Sequence, residues 1–226
     1  MYTGIIEAVG TLSRIERRGG GAAVTVLTPP EFAVTKRVHL GDSVAANGVC
    51  LTATAMFDGG FHADVSAETM ALTCFKYYST GESLNLELPC TPATHLGGHI
   101  VQGHVDGIGK VLSASSLSEA VNVWVEAPHE LLRYIAYKGS IAVDGMSLTV
   151  NELDGAAFRL TVIPHTQQVT NFHSFKAGRL VNLEVDVLAR YLERLLLPEL
   201  RDKKDGEGAL QNSSSLSVAE LMANGF

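Results

Sequence analysis

The sequence predicts an all-β protein built from two tandem, small antiparallel β-barrels of about six strands each, followed by a C-terminal α-helix. Three observations predict it. The chain repeats itself: Ser43–Thr52 reads SVAANGVCLT and Ser140–Thr149 reads SIAVDGMSLT, an offset of 97. Short β-branched or alternating runs recur in both copies: Val24–Pro29, Ser43–Met56 and Ser83–Leu88, then Ile141–Leu153, Phe158–Ile163 and Leu180–Val185. Asn47-Gly48 and Asp144-Gly145 interrupt two of these runs at equivalent places. Both dipeptides tolerate the positive φ angles of a type I′ turn, so each is expected to tip a hairpin.

The repeat justifies the elements in order. The offset of 97 pairs Thr69 with Thr166, Thr73 with Thr170, Phe75 with Phe172, Gly81 with Gly178, and Asn85-Leu86-Glu87 with Asn182-Leu183-Glu184. Near the start it becomes 99, placing Gly4 on Gly103, Gly10 on Gly109 and Leu12 on Val111. Two copies make a duplicated domain rather than a solenoid. The expected domains are residues 1–96 and 97–186, with short helical turns at Leu72–Tyr78 and His129–Tyr137. Closure into a barrel removes the exposed sheet edges that small β-proteins must manage.

After Asp186 the period changes. Leu188, Tyr191, Leu192, Leu195 and Leu196 follow one face of an α-helix, which Asp186 can cap and Pro198 can end. This helix, expected over 187–200, lies outside both repeats. Its apolar stripe fits an oligomer contact or packing on its own barrel. Residues 201–226 are Gly/Ser/Asn-rich and are expected to be a disordered tail.

Composition narrows the partners. The 226 residues are 46% apolar and 18% charged, with a net charge of −7. No basic stripe exists to displace phosphate counterions, and the charge disfavours an anionic membrane, so neither nucleic acid nor membrane is an expected partner. Cys50, Cys74 and Cys90 are odd in number and lack CxxC spacing, which argues against a disulfide framework or zinc site. The opening MYTGIIEAVG has no signal-peptide pattern, and a cytoplasmic location is expected.

The chemistry lies where the copies differ. Cys50 aligns with Ser147, each followed by Leu-Thr; Ile5 aligns with His104, and Gly41 stands opposite Lys138. Two pockets of similar shape and unequal chemistry suit two identical ligands in unequal roles. Alone, Ser147 reads as a strand serine and Cys50 as a small buried hydrophobe; duplication of the Cys/Ser-Leu-Thr tripeptide behind a glycine turn favours function. His99 and His104, five apart in GGHIVQGHVDG, fall on opposite faces of a strand, which argues against joint metal ligation. HExxH, a phosphate-cradling GxxxxGK[ST] and a G-x-S-x-G elbow are absent.

MYTGIIE, GDSVAANGVCLT, GGHIVQGHVDG, YKGSIAVDGMSLTV and the IPHT of Ile163–Thr166 resemble the riboflavin synthase α-chain family over residues 1 to about 197. The resemblance implies dismutation of two 6,7-dimethyl-8-ribityllumazine molecules: one donates a four-carbon unit to the other, giving riboflavin and 5-amino-6-ribitylamino-pyrimidinedione. It also implies two six-stranded lumazine-binding barrels, no metal or organic cofactor, and a homotrimer held by the C-terminal helix. The active site then lies between the N-terminal barrel of one subunit and the C-terminal barrel of the next. Association with lumazine synthase, which makes the substrate, is a further expectation that stays open.

By that resemblance a first pocket uses Gly4, Ile5, Ile6, Cys50, Leu51, Thr52, Asp64, Val65, Ser66, Ala67, Glu68 and Thr69. A second uses Gly103, His104, Val105, Lys138, Ser147, Leu148, Thr149, Val162, Ile163, Pro164, His165, Thr166 and Gln167. His104, alone or through Thr149, is the expected general base for the acidic C7 methyl group. Ser147 and Cys50 are expected to add to C7 or to hold the water that does. Asp186 either helps position the neighbouring subunit's reactants or only caps the helix. One departure stands out: the family usually begins Met-Phe-Thr-Gly, whereas here Tyr2 brings a hydroxyl that needs a polar outlet. The alternative from another class is a non-catalytic lumazine- or flavin-binding antenna protein, in which the second pocket is expected to be degraded.

Overall fold

The structure, a computed structural model, describes residues 1–196. The expected tail, Pro198 and the last residues of the expected helix lie outside the described residues.

Twelve strands form two closed barrels. The first comprises β1 (Ala8–Arg18), β2 (Gly21–Leu27), β3 (Ser43–Ala46), β4 (Val49–Phe57), β5 (Gly60–Val65) and β6 (Ser83–Glu87), in the order β1-β2-β5-β4-β3-β6. The second comprises β7 (Gly107–Leu117), β8 (Ala120–Glu126), β9 (Ser140–Val143), β10 (Met146–Asp154), β11 (Ala157–Val162) and β12 (Leu180–Val185) and repeats that order strand for strand. All pairings are antiparallel.

The bends that close the barrels are duplicated too. Register shifts fall at Leu12/Arg14 and Ala53/Ala55 in the first barrel, and at Val111/Ser113 and Val150/Glu152 in the second. Such bulges add the local bend that a small closed sheet requires. Both expected hairpin turns form: φ is positive at Asn47 (47°) and Gly48 (74°), and at Asp144 (45°) and Gly145 (80°).

Each barrel has its own core. Leu12, Val24, Val26, Leu51, Phe61, Phe75, Leu84 and Leu86 fill the first. Val123, Val125, Ile141, Val150, Phe158, Leu160, Val181 and Leu183 fill the second. A third cluster, Tyr2, Ala45, Val101 and Ala142, packs residues of both barrels together, with Ala45 and Ala142 at equivalent repeat positions.

Around it runs a buried polar network that obeys the repeat. Asn85 Nδ2 donates to the Asp144 carbonyl (2.9 Å), and Asn182 Nδ2 donates to the Asn47 carbonyl (2.8 Å). Asn85 Oδ1 accepts from Asn171 N–H, as Asn182 Oδ1 accepts from Cys74 N–H, both at 2.7 Å. Each buried amide thus satisfies the turn or loop of the other barrel, as burial demands.

Helices are short. α1 is Val34–Arg37, α2 is Ala67–Leu72 and α3 is Pro164–Val169, with 3-10 turns at Pro30–Phe32, Cys74–Lys76, His129–Tyr134 and Asn171–Ser174. The helical stretch expected at Leu72–Tyr78 is therefore the end of α2 plus a separate 3-10 turn. Thr73 breaks the helix because its hydroxyl accepts from Phe75 N–H in an extended conformation. α4 (Val187–Leu196) begins directly after Asp186, and Leu188, Tyr191, Leu192, Leu195 and Leu196 are all exposed.

Candidate active site

Two glycine turns cross between the barrels and define two clusters. Gly4 (φ 75°) and Gly103 (φ 81°) occupy the left-handed region open to glycine. The Gly4 carbonyl accepts from Ser147 N–H (2.8 Å), and the Gly103 carbonyl accepts from Cys50 N–H (2.9 Å). Contact is so close that a Cβ on Gly4 would sit 2.6 Å from Ser147 Cβ, and one on Gly103 would sit 2.7 Å from Cys50 Cβ. Tyr2 and Val101 pair antiparallel between the two turns, Tyr2 N–H donating to Val101 (2.6 Å) and Val101 N–H to Tyr2 (3.1 Å).

The contacts of the turns differ from the expected grouping: the Gly4 turn packs against Ser147, and the Gly103 turn against Cys50. The hydrophobic side chains agree, since Ile6 packs on the second barrel's core and Val105 on the first. The physical reason is the crossover: each barrel's lead-in segment pairs with the other barrel before its own first strand begins. His104 follows Gly103 on the Cys50 side, and Thr149 follows Ser147 on β10.

The Cys50 cluster lies along β4. Cys50 is half-buried, Leu51 is core and Thr52 is exposed, the alternation of a strand with one wet face. Tyr2 Oη donates to Cys50 Sγ at 3.1 Å, which supplies the outlet its hydroxyl requires. Burial and this contact push the Tyr2 hydroxyl far above its usual pKa, so it stays a donor. Tyr2→Phe is expected to keep the fold and turnover within about threefold while lowering Cys50 alkylation, because the donated bond stabilises the thiolate but is worth only ~1 kcal/mol. Unchanged alkylation by iodoacetamide would count against the contact.

The other residues expected beside Cys50 follow on. Asp64 and Val65 end β5, Asp64 exposed and Val65 in the core. Ser66 caps α2 by accepting from Thr69 N–H (3.0 Å), with exposed Ala67 and Glu68 in the first turn. Asp64 also lines a cavity of about 270 Å³ with Arg14, Thr25, Thr54 and His62. On the second barrel the residue aligned with His62 is Arg159, which lies across the equivalent face, donating to Asn122 Oδ1 (3.1 Å) and Thr161 Oγ1 (3.2 Å).

The Ser147 cluster contains a residue that comparison of the copies missed. His99 Nδ1 and Ser147 Oγ are 2.6 Å apart, and His99 is only 8% exposed. Its Nε2 is buried without a hydrogen-bond partner. Burial lowers the His99 pKa, partly opposed by the Asp186 carboxylate, so the ring is neutral near pH 7 and can exchange a proton with the serine. Position 99 has no counterpart under the offset of 99, so the repeat gave no signal; only the GGHIVQGHVDG motif marked it. Leu148 is buried and Thr149 exposed. Lys138 (φ 64°) sits at the turn before β9, its ammonium 5.5 Å from the Tyr137 ring centroid.

Val162 is core at the end of β11, Ile163 is the residue before α3, and Pro164, His165 and Thr166 form the first turn of α3. Gln167 Nε2 donates to the Val162 carbonyl at 2.9 Å. Among the described residues no cluster of His, Cys, Asp and Glu could hold a metal ion, and no described helix is long and apolar enough to cross a membrane.

Comparison with known proteins identifies the family. A family model for the lumazine binding domain matches twice, over residues 3–89 and 102–186. A riboflavin synthase from Photobacterium phosphoreum is 43% identical over 226 residues, covering 100% of this chain and 99% of the relative. One from Actinobacillus pleuropneumoniae is 39% identical, covering 100% of both chains. Among solved structures, LumP complexed with 6,7-dimethyl-8-(1'-D-ribityl) lumazine superposes with a TM-score of 0.74 at 20% identity, over 82% of this chain and 99% of that one. LumP complexed with riboflavin gives 0.76 over the same shares, also at 20% identity. The structural likeness carries the barrel fold, while the sequence likeness over the full length carries the rest: this chain belongs to the riboflavin synthase family of tandem lumazine-binding-domain proteins.

Proposed function

We propose that the chain dismutates two molecules of 6,7-dimethyl-8-ribityllumazine to riboflavin and 5-amino-6-ribitylamino-pyrimidinedione, using its two glycine-crossed clusters as unequal binding sites. The observation that carries this reading is that asymmetry: Cys50 against Gly103 and His104 on one barrel, Ser147 against Gly4 and His99 on the other. One ligand type bound in two chemical settings is what a donor and an acceptor of the same compound require.

The acid–base demand is modest, because the C7 methyl anion is delocalised over the ring. The geometric demand is severe, and holding two heterocycles face to face can contribute ~7–11 kcal/mol. His104 takes the methyl proton in this reading. Ser147, its hydroxyl polarised by His99, and Cys50 add to C7 or hold the hydroxide that does. Backbone N–H and C=O groups of the glycine turns suit the pteridine imide, and Thr52, Asp64, Thr149 and Thr166 suit ribityl hydroxyls.

The two clusters of one chain belong to opposite barrels, so stacked ligands are best assembled between chains. The exposed stripe of α4 supports a homotrimer, and any His104–Thr149 pairing then forms across subunits. Three cysteines without a disulfide suit the reducing cytoplasm.

Mixing metal-stripped protein with the lumazine and following riboflavin absorbance tests the reading. Riboflavin at half the molar amount of lumazine consumed supports it; tight binding with stable fluorescence and no riboflavin moves the protein to the antenna class. His104→Gln is expected to lower kcat by ~10²-fold or more, the usual worth of a positioned base. Ser147→Ala is expected to reduce kcat about tenfold, a smaller loss because a general base contributes more than one polarised hydroxyl. Near-parental rates in both variants would remove these roles.

A further inference from the structure

Two buried carboxylates, repeat partners, hold the crossing glycine turns from behind, and neither touches the substrate-facing side chains. Glu87 and Glu184 are each 4% exposed, at the ends of β6 and β12. Glu184 Oε1 accepts from Gln102 N–H (2.5 Å), and its Oε2 accepts from Gly103 N–H (2.9 Å) and His104 N–H (3.0 Å). Glu87 Oε1 accepts from Thr3 N–H (2.6 Å) and Thr3 Oγ1 (2.7 Å), and its Oε2 from Gly4 N–H (3.0 Å). The copies differ at the third donor, which is a hydroxyl for Glu87 and a backbone N–H for Glu184. Ile5 N–H reaches Glu87 only through the Thr3 hydroxyl (3.1 Å), whereas His104 N–H is held by Glu184 directly.

We infer that Glu184 is a positioning residue for the reaction: its ionised carboxylate gathers three consecutive backbone N–H groups and so fixes His104 beside Cys50. The inference rests on the proposed function of that site and names a residue through which it is regulated. The chain of contacts is short. Glu184 fixes the Gln102–His104 backbone, the Gly103 carbonyl accepts from Cys50 N–H, and the two reacting side chains of that barrel are thereby set relative to each other. Glu87 performs the matching task for Gly4 and Ser147.

Only the carboxylate can do this. Three N–H donors converge on two oxygens, and a carboxylic acid would turn an O–H toward one of them. Burial outweighs the three donors and raises the Glu184 pKa to about 7; Asp106, accepting from Val185 N–H on the same strand end, adds to the rise. The His104 imidazole and the Asp106 carboxylate are the titratable groups on the loop; β9 and β7, paired with β12, bring Ala142 opposite Glu184 and Gly107 opposite Leu183. Protonation of Glu184 therefore releases the turn that carries His104 just below neutral pH; burial raises the Glu87 carboxyl as well.

Two measurements test this. In the unmodified protein, the amide resonances of Gln102, Gly103 and His104 are expected to move together with one apparent pKa near 7 between pH 5.5 and 8.5. Flat amide shifts would overturn the inference, and they are readable even if the protein turns over no lumazine, which would sink only the proposed function. In Glu184→Gln, kcat at pH 8 is expected to fall at least tenfold with lumazine affinity changed less than threefold, and the acid limb near pH 7 is expected to vanish. A parental kcat with the limb intact would also overturn it. If that variant does not fold, the amide titration decides.

Discussion

Gly103→Ala is expected to lower turnover about 100-fold while leaving the barrels folded. A methyl group there meets Cys50 Cβ at 2.7 Å, Tyr2 Cε2 at 2.9 Å and Cys50 N at 3.1 Å, and the backbone has φ +81°. None of these atoms is the far end of a flexible side chain. The turn must move off β4, breaking the bond from Cys50 N–H to the Gly103 carbonyl and carrying His104 with it. A misplacement of about 1 Å in a reacting constellation costs on the order of 10²-fold. Gly178→Ala is the control: φ is +90° there as well, but nothing lies within 4 Å of the added methyl. Both variants carry the same left-handed strain of roughly 1–2 kcal/mol, so any loss of thermal stability that Gly103→Ala shows beyond Gly178→Ala belongs to the close approach. Equal kcat values for the two would mean that the close approach to Cys50 does not matter.

The same turn marks the boundary of what the sequence makes legible. Duplication, barrel class, both hairpin tips and the Cys50/Ser147 asymmetry follow from residue identity at a fixed offset, which is local information. An offset states that Gly4 and Gly103 are equivalent; it says nothing about which barrel each touches. Sequence equivalence alone leads each turn to be placed on its own barrel, whereas the hydrogen bonds of both turns cross. His99 escaped because it has no partner in the other copy, so a reading that compares copies is blind to it. α1, α2 and α3 are four to six residues long, too short for a 3.6-residue period to register. Glu87 and Glu184 are visible as a repeated Asn-Leu-Glu, but their task depends on backbone and hydroxyl donors about 80 residues away.

Arg179 offers the largest expected effect on stability. Its guanidinium spans the barrels, donating to Glu82 Oε1 (3.0 Å) and to Asp144 Oδ2 (3.4 Å), and Asp144 is completely buried. Burial pushes the Asp144 carboxyl up to about 6, with Arg179 the largest opposing influence, ahead of the N–H of Asn182. Arg179→Met is expected to cost about 3–5 kcal/mol at pH 8, because it leaves a buried charge uncompensated. The sign of its pH dependence follows. An acid with a raised folded-state pKa contributes stability that is present below its unfolded value, 3.8 for Asp144, and is lost as pH rises through the folded value. Without Arg179 the folded value rises further. The deficit should therefore be smallest near pH 4 and grow steadily through pH 6 to 8. Urea unfolding at fixed protein concentration at those three pH values reads it directly. The first barrel supplies the rescue: Asn47 stands where Asp144 does, and its Oδ1 accepts from Asn85 N–H as Asp144 Oδ1 accepts from Asn182 N–H. Adding Asp144→Asn to Arg179→Met keeps that bond and removes the stranded charge, so most of the loss should return at pH 8 and little should change at pH 4. A deficit independent of pH, or no recovery in the double variant, would place the role of Arg179 in its packing on Phe175 rather than in its charge.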